Sequence, residues 1–143
     1  GRKLILGGVD IPHEKGLLGH SDADVLAHAV ADAVLGAAGT GDTGRHFPDS
    51  DDEWRGANSL DLLRAIGDLL AEDGYQNQRV DATLIAQRPK IAPYVEQMEA
   101  NLTGALGMDA GGVTVKATTT EGLGFEGEEQ GMSAHAVALV KMT

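Results

Sequence analysis

Leu18-Gly19-His20-Ser21-Asp22-Ala23-Asp24-Val25-Leu26-Ala27-His28-Ala29-Val30-Ala31-Asp32 is the stretch whose reading decides the fold. It reads as a glycine-led loop feeding an amphipathic helix. Ser21 is the expected N-cap, and Asp24 three residues later completes a Ser-x-x-Asp capping box. Asp22 and Asp24 then fall in the first turn, where the helix dipole favours negative charge. Val25, Leu26, Ala29, Val30, Ala33 and Val34 recur at helical spacing and form the apolar face. Asp24, His28 and Asp32 are four apart and stack as a polar stripe. Such a stripe suits a hydrated divalent cation or a substrate. An ordinary solvated helix face has the same spacing, so the pattern alone leaves both readings open.

Working outward, the helix is predicted from about Asp22 to Ala38, stopped by Gly39 and Gly41. Before it, Lys3 to Leu6 and Val9 to Ile11 flank Gly7-Gly8 as a β-hairpin. Pro12 to Gly16 leaves the hairpin as a loop. After the helix, Gly41 to Asp52 is polar and too long for a simple connector, which favours a functional loop. A second helix starts near Asn58 or Ser59, with Leu60, Leu63, Ile66, Leu69 and Leu70 as its apolar face and Gly74 past its end. Val80 to Ala86 reads as a strand, broken by Gln87-Arg88-Pro89-Lys90. A third helix is expected from about Pro93 to Leu106, ended by Gly107. Val113 to Thr118 and Ser133 to Met142 are strands, joined by a polar loop or short turn. This order predicts a single α+β domain over 1–143. Its sheet is mixed or antiparallel, with helices on one face, as a sandwich whose uncovered face packs into an oligomer. Antiparallel pairing is the expectation, and the small side chains of Ala134, Ala136 and Ala138 are the expected subunit-packing face.

At 143 residues the chain is long enough to bury a core. No apolar run approaches a membrane span, and no secretory h-region is visible. The chain has no cysteine, so disulfide frameworks and thiolate chemistry are excluded, and a cytoplasmic or plastid-stroma setting is expected. The net charge of −11 argues against a nucleic-acid surface. It does not argue against a phosphorylated ligand, because bound cations and backbone N–H groups neutralise phosphate locally.

Five polar stretches compete for the site: His20-Ser21, His28 with its flanking carboxylates, Asp42 to Asp51, Ala86 to Lys90, and Thr118 to Glu121. The last offers hydroxyls, turn N–H groups and a carboxylate, a set that suits phosphate with a hard cation. Lys90 is a point charge that can meet a phosphate. A β-rich edge and a solvated lysine are the plain alternatives for these two stretches.

Together the stretches resemble the 2-C-methyl-D-erythritol 2,4-cyclodiphosphate synthase family. The strings that carry the resemblance are Leu6-Gly7-Gly8-Val9 with Ile11-Pro12, and Glu14 to Leu18 followed by His20-Ser21-Asp22. Gly41-Asp42, Phe47-Pro48-Asp49, Ile85-Ala86-Gln87 and Pro89-Lys90 follow. Lys116 to Glu121 and Leu123-Gly124-Phe125 complete the set. The resemblance runs the whole length of the chain. It implies a homotrimer with active sites between neighbouring subunits, and no role for nucleic acid or membrane. It implies a phosphorus–oxygen lyase of non-mevalonate isoprenoid synthesis. That enzyme cyclises 4-diphosphocytidyl-2-C-methyl-D-erythritol 2-phosphate and releases CMP, using Zn²⁺ with Mg²⁺ or Mn²⁺.

The resemblance also implies roles. His28 is a zinc ligand and Glu121 the carboxylate for the second cation. His20 and Ser21 belong to a loop that closes on the erythritol phosphate. Asp42, Thr43 and Gly44 hold the erythritol hydroxyls, and Phe47, Pro48, Asp49, Ser50 and Asp51 continue that pocket. Ala86, Gln87, Arg88, Pro89, Lys90, Ile91 and Ala92 form the cytidine diphosphate pocket, read largely by backbone. Thr118, Thr119, Thr120 and Glu121 take the diphosphate. His20 and Thr119 are the residues that stabilise the transition state. Phe125 and Glu128 complete the substrate contacts near the trimer axis.

The chain also departs from the family pattern. Glu128 stands where the family often has Arg, within Gly127-Glu128-Glu129-Gln130-Gly131, and Tyr94 stands where the family has His. The family's Asp-x-His zinc motif at the end of a first strand has no match in 1–143. The expectation is therefore that this first strand is missing and that the 143-residue polypeptide holds zinc weakly. A nucleotide-binding scaffold of the same fold without turnover, and an unrelated metal phosphohydrolase suggested by the Asp-rich loop, are the competing functional readings.

Overall fold

Gly7 and Gly8 lie at φ +55° and +76°, a pair of left-handed residues that closes a tight two-residue turn. That turn joins β1 (Leu4–Leu6) to β2 (Val9–Ile11), with Leu4 opposite Ile11 and Leu6 opposite Val9. The computed structural model describes residues 4–12, 24–40, 58–127 and 131–143. Leu4, Leu6 and Ile11 are buried, so the hairpin is pinned to the core through alternate side chains. Asn101 Nδ2 donates to Gly7 O at 3.1 Å and ties the turn to a later helix.

Helix α1 spans Val25–Ala37, and its N-cap is Asp24. The Ser21 cap and the Asp22 start are thereby corrected. Asp24 is extended (ψ 94°) and its side chain accepts from Ala27 N at 2.9 Å. Leu26, Ala27, Val30, Ala31, Val34 and Leu35 form the buried face. Their small members let the helix sit close to the sheet. Helix α2 spans Ser59–Glu72, capped by Asn58 accepting from Leu60 N at 2.8 Å, and Gly74 ends it at φ +84°. Leu63, Ile66 and Leu70 are at or below 1% exposure, and each such side chain contributes about 1.5–3 kcal/mol by leaving water. Helix α3 spans Val95–Ala105 and is preceded by a 3₁₀ turn at Ala92–Tyr94, where Pro93 suits a helix start. Gly107, at φ +68°, follows it.

The main sheet has the order β4-β3-β5. Strand β3 spans Tyr75–Ile85, β4 Val113–Thr118 and β5 Ser133–Met142. β3 begins earlier than the predicted Val80. Its polar start, Gln76 to Arg79, lacks an apolar signal, but pairing with the end of β5 holds it in the sheet, with a register shift between Asn77 and Arg79. β3 and β5 are antiparallel, whereas β3 and β4 are parallel, so of the mixed and the antiparallel sheet expected, the mixed one forms. The cause is topological: α3 carries the chain back across between them, as parallel neighbours require.

The free edge of β4 is covered by side chains of α3. Val113 N donates to Thr103 Oγ1 at 3.3 Å and Val115 N to Glu99 Oε2 at 2.8 Å. Such pairing removes the edge donors that would otherwise recruit a foreign strand.

Along β5 the side chains alternate. Ala134, Ala136, Ala138 and Val140 pack against the core. Val137 and Leu139 face outward at 74% and 58% exposure. The alanine stripe is therefore the inner face, beneath the helices, and not the free one. The outer face carries Val137 and Leu139 beside the Lys116–Asp81 pair, whose Nζ–Oδ2 distance is 2.9 Å.

Candidate active site

β3 and β4 run parallel and end together, with Ile85 opposite Thr118. Ala86 N donates to Thr118 O at 3.1 Å, one step past the ladder. The segments 86–92 and 118–121 therefore leave the sheet side by side, at the carboxyl ends of parallel strands. In open α/β sheets that end is where ligands bind, because loops diverge there and leave a crevice. In the sequence the starts of these segments, Ala86 and Thr118, are 32 positions apart, and the sheet brings them together. β5 begins at the same end, with Ser133 opposite Ile85.

The 118–123 turn is built from its own hydroxyls. Glu121 N donates to Thr119 Oγ1 at 3.1 Å, and Thr120 Oγ1 donates to Leu123 O. Leu123 N donates to Thr120 O at 3.2 Å. Glu121 sits at φ +55°, a left-handed conformation that costs a non-glycine residue about 1–2 kcal/mol. Such strain persists only where the surroundings over-determine it. Thr118, Thr119 and Glu121 are exposed, and Thr120 is half-buried. Thr119 and the Glu121 carboxylate thus stand open on this end of the sheet, while the Thr118 hydroxyl donates to Thr119 O at 3.3 Å and the Thr120 hydroxyl to Leu123 O. Gly122 N donates to Gln87 Oε1 at 3.3 Å, which joins the two segments directly.

In the other segment, Ala86 and Ile91 are buried and anchor it, while Arg88, Lys90 and Ala92 are exposed. Gln87 and Pro89 are half-buried, and the Arg88–Pro89 bond is cis. Phe125 lies 49% exposed on the short helix α4 (Gly124–Gly127). That helix is held to the start of β5 by Ser133 Oγ donating to Glu126 Oε2 at 2.8 Å.

The polar stripe on α1 does not survive as a ligand set. Asp24 is fully buried and turned toward the hairpin, where it accepts from Gly7 N at 2.9 Å and Gly8 N at 2.8 Å. His28 is half-buried and Asp32 exposed. Among the described residues no three His, Asp or Glu side chains group so as to hold a metal ion. His28 and Glu121 stand as single candidate donors, on different elements. His20, Ser21, Asp42, Thr43, Gly44, Phe47, Pro48, Asp49, Ser50, Asp51 and Glu128 lie outside the described residues.

Two side chains gained roles that sequence reasoning missed. Asp24 joins hairpin to helix, and Gln87 joins the two site segments. The capping signal was visible for Asp24, since Asp is a preferred N-cap. The sequence marked Gln87 for the cytidine pocket, but nothing in it pointed to a partner 35 residues on.

A model of the YgbB family matches residues 1–141. The chain belongs to the YgbB family. Among its relatives is a 2-C-methyl-D-erythritol 2,4-cyclodiphosphate synthase from Alkaliphilus oremlandii. The two are 58% identical over 139 residues, which is 97% of this chain and 88% of that protein. In structure, this YgbB-family chain is similar to the bifunctional IspDF from Campylobacter jejuni, with a TM-score of 0.93 and 42% identity. That match takes in 99% of this chain and 38% of the longer bifunctional one. It is also similar to an IspF from Plasmodium falciparum in complex with CDP, with a TM-score of 0.84 and 33% identity over 99% of this chain and 85% of that one.

Proposed function

We propose that this chain converts 4-diphosphocytidyl-2-C-methyl-D-erythritol 2-phosphate into 2-C-methyl-D-erythritol 2,4-cyclodiphosphate and CMP, in isoprenoid biosynthesis. The observation that carries this reading is the 58% identity with a synthase of that name across nearly the whole chain. In the reaction an oxygen of the 2-phosphate attacks the β-phosphorus of the diphosphate. The bond from that phosphorus to the bridging oxygen breaks, and the bridging oxygen leaves with CMP. No bond to the protein forms, so the work is to position two phosphates and offset their charge.

The geometry supports that division of labour. In this reading the 86–92 segment holds the cytidine end, with Lys90 supplying a positive charge. In the same reading the 118–121 turn holds the diphosphate, through hydroxyls and N–H groups of Thr118, Thr119 and Thr120. Thr119 is the group we assign to the transition state on this turn, and His20 its partner from the preceding loop. Asp42 and its neighbours take the erythritol. A CDP complex of a 33%-identical IspF supports a cytidine nucleotide as ligand. Incubation with the substrate, followed by ³¹P NMR, tests the assignment. The expected result is cyclic diphosphate with equimolar CMP. CMP binding without product, or release of inorganic phosphate, would overturn it.

We propose Zn²⁺ and Mg²⁺ or Mn²⁺ as cofactors, with His28 a zinc donor and Glu121 a donor to the second cation. The donor chemistry supports each assignment, an imidazole for zinc and a carboxylate for a hard cation. When bound, the cations would neutralise phosphate charge. The described residues do not complete a ligand set. Replacing His28 by Ala should reduce zinc per chain to below about a tenth of the parent value, by analogy with losses at metal sites of known ligation. Elemental analysis by plasma mass spectrometry reads this without any assay. Unchanged zinc content would remove His28 from the site.

We propose a homotrimer as the working form, acting in a bacterial cytoplasm or a plastid stroma. The exposed Val137 and Leu139 support assembly, because large apolar side chains side by side on a sheet face mark an interface.

A further inference from the structure

Glu121 must present its carboxylate from a backbone conformation that its own residue type disfavours, at φ +55°. Its stability there depends on bonds to neighbouring atoms. Those to Thr119 Oγ1 and between Thr120 and Leu123 lie inside the turn and move with it. They set the turn's shape but not its place. Two side-chain bonds reach outside. Glu126 accepts from Ser133 and fixes the far end of the segment to β5. Gln87 Oε1 accepts from Gly122 N and fixes the residue next to Glu121 to the loop after β3. The base of Gln87 is itself held, because Ala86 is 5% exposed and its N–H bonds to Thr118 O.

From this we infer that Gln87 is a positioning residue. By accepting the Gly122 N–H, it holds the turn that carries Glu121 at a fixed distance from the 86–92 segment. The inference rests on the cyclodiphosphate synthase reading for its kinetic consequence, but not for its structural one. The residue type fits the task. A neutral amide oxygen accepts one N–H without adding a charge beside a diphosphate. Its length spans the gap between two loops that leave neighbouring strands. The bond lets the nucleotide end and the diphosphate end of a ligand be held in one frame. Misplacement of such a frame by about 1 Å is enough to cost about a hundredfold in rate.

The test uses the full chain and two variants. Gln87→Met keeps length and removes the acceptor. Gln87→Glu keeps an acceptor at the same reach. Hydrogen exchange of residues 119–123 and turnover at saturating substrate are read for each. The thermal midpoint is read beside them. Gln87→Met should lose protection at Gly122 and drop kcat by about 10–100-fold. Its thermal midpoint should hold and β3 should exchange as in the parent. Gln87→Glu should restore protection at Gly122, with kcat recovering only in part, because the charge it adds lies beside the diphosphate. Parental protection and kcat in Gln87→Met would overturn the inference. So would a loss of kcat matched by a loss in thermal midpoint, since that marks general destabilisation. A parent that cyclises nothing fails the functional reading alone, and Gly122 protection in the two variants still decides whether Gln87 holds the turn.

Discussion

Asp24→Ala should lower the thermal midpoint by roughly 10–15 °C. Asp24 is fully buried, and its carboxylate accepts from three backbone N–H groups: Gly7, Gly8 and Ala27. The first two close the β1–β2 turn and the third opens α1. Alanine would remove every acceptor at once and leave the donors to the interior. An unsatisfied buried donor costs about 1–3 kcal/mol, and loss of an N-cap about 1 kcal/mol. Water entering the gap recovers part of this, so a loss of about 3–5 kcal/mol is expected. For a chain of this size each kcal/mol moves the midpoint by about 2–4 °C. Asp24→Asn keeps one carbonyl oxygen toward the turn and should cost less than half as much. Thermal melts followed by circular dichroism check both. A midpoint within about 2 °C of the parent in Asp24→Ala would contradict the role.

That residue also shows where sequence reading stops. Ser21, Asp22 and Asp24 all satisfy the local rule for a helix start, and composition cannot rank them. Tertiary bonding singled out Asp24, which serves the Gly7-Gly8 turn as well as the helix. The stops at Gly74 and Gly107 were legible, since glycine past a helix end has a local cause. β4 and β5 were legible to the residue, because β-branched and alternating side chains signal locally. The first half of β3 was not, as Gln76 to Arg79 are polar and gain their strand from β5. Which face of β5 lies inward was misread for a related reason. Alternation fixes that Ala136 and Val137 point opposite ways, but the packed helices decide which way is in. At the site, the strings 86–92 and 118–121 were found from sequence. Their adjacency, and the bond that Gln87 makes between them, required the parallel pairing of β3 with β4.

Turning the outer face of β5 acidic should separate the subunits while leaving each one folded. Val137 and Leu139 point away from the core at 74% and 58% exposure, so Val137→Asp with Leu139→Asp leaves the packed face untouched. In a homotrimer that buries this face, each carboxylate would be stripped of water against apolar neighbours. The penalty is several kcal/mol for each ion without a partner. A standard interface cannot absorb that across repeated contacts, so the variant should sediment as a monomer at micromolar concentration. If the active site lies between neighbouring subunits, turnover should fall by more than about a hundredfold, since catalysis by positioning is lost with the partner's groups. The neighbouring strand position supplies the control. Ala136 packs inward against the core, so Ala136→Asp buries a carboxylate under the helices and should unfold the chain rather than dissociate it. Sedimentation velocity and far-ultraviolet circular dichroism on the two variants distinguish the outcomes. A Val137→Asp, Leu139→Asp chain that remains assembled and active would show that the outer face of β5 is not the interface. An Ala136→Asp chain that stays folded as a monomer would instead put the contact on the alanine stripe.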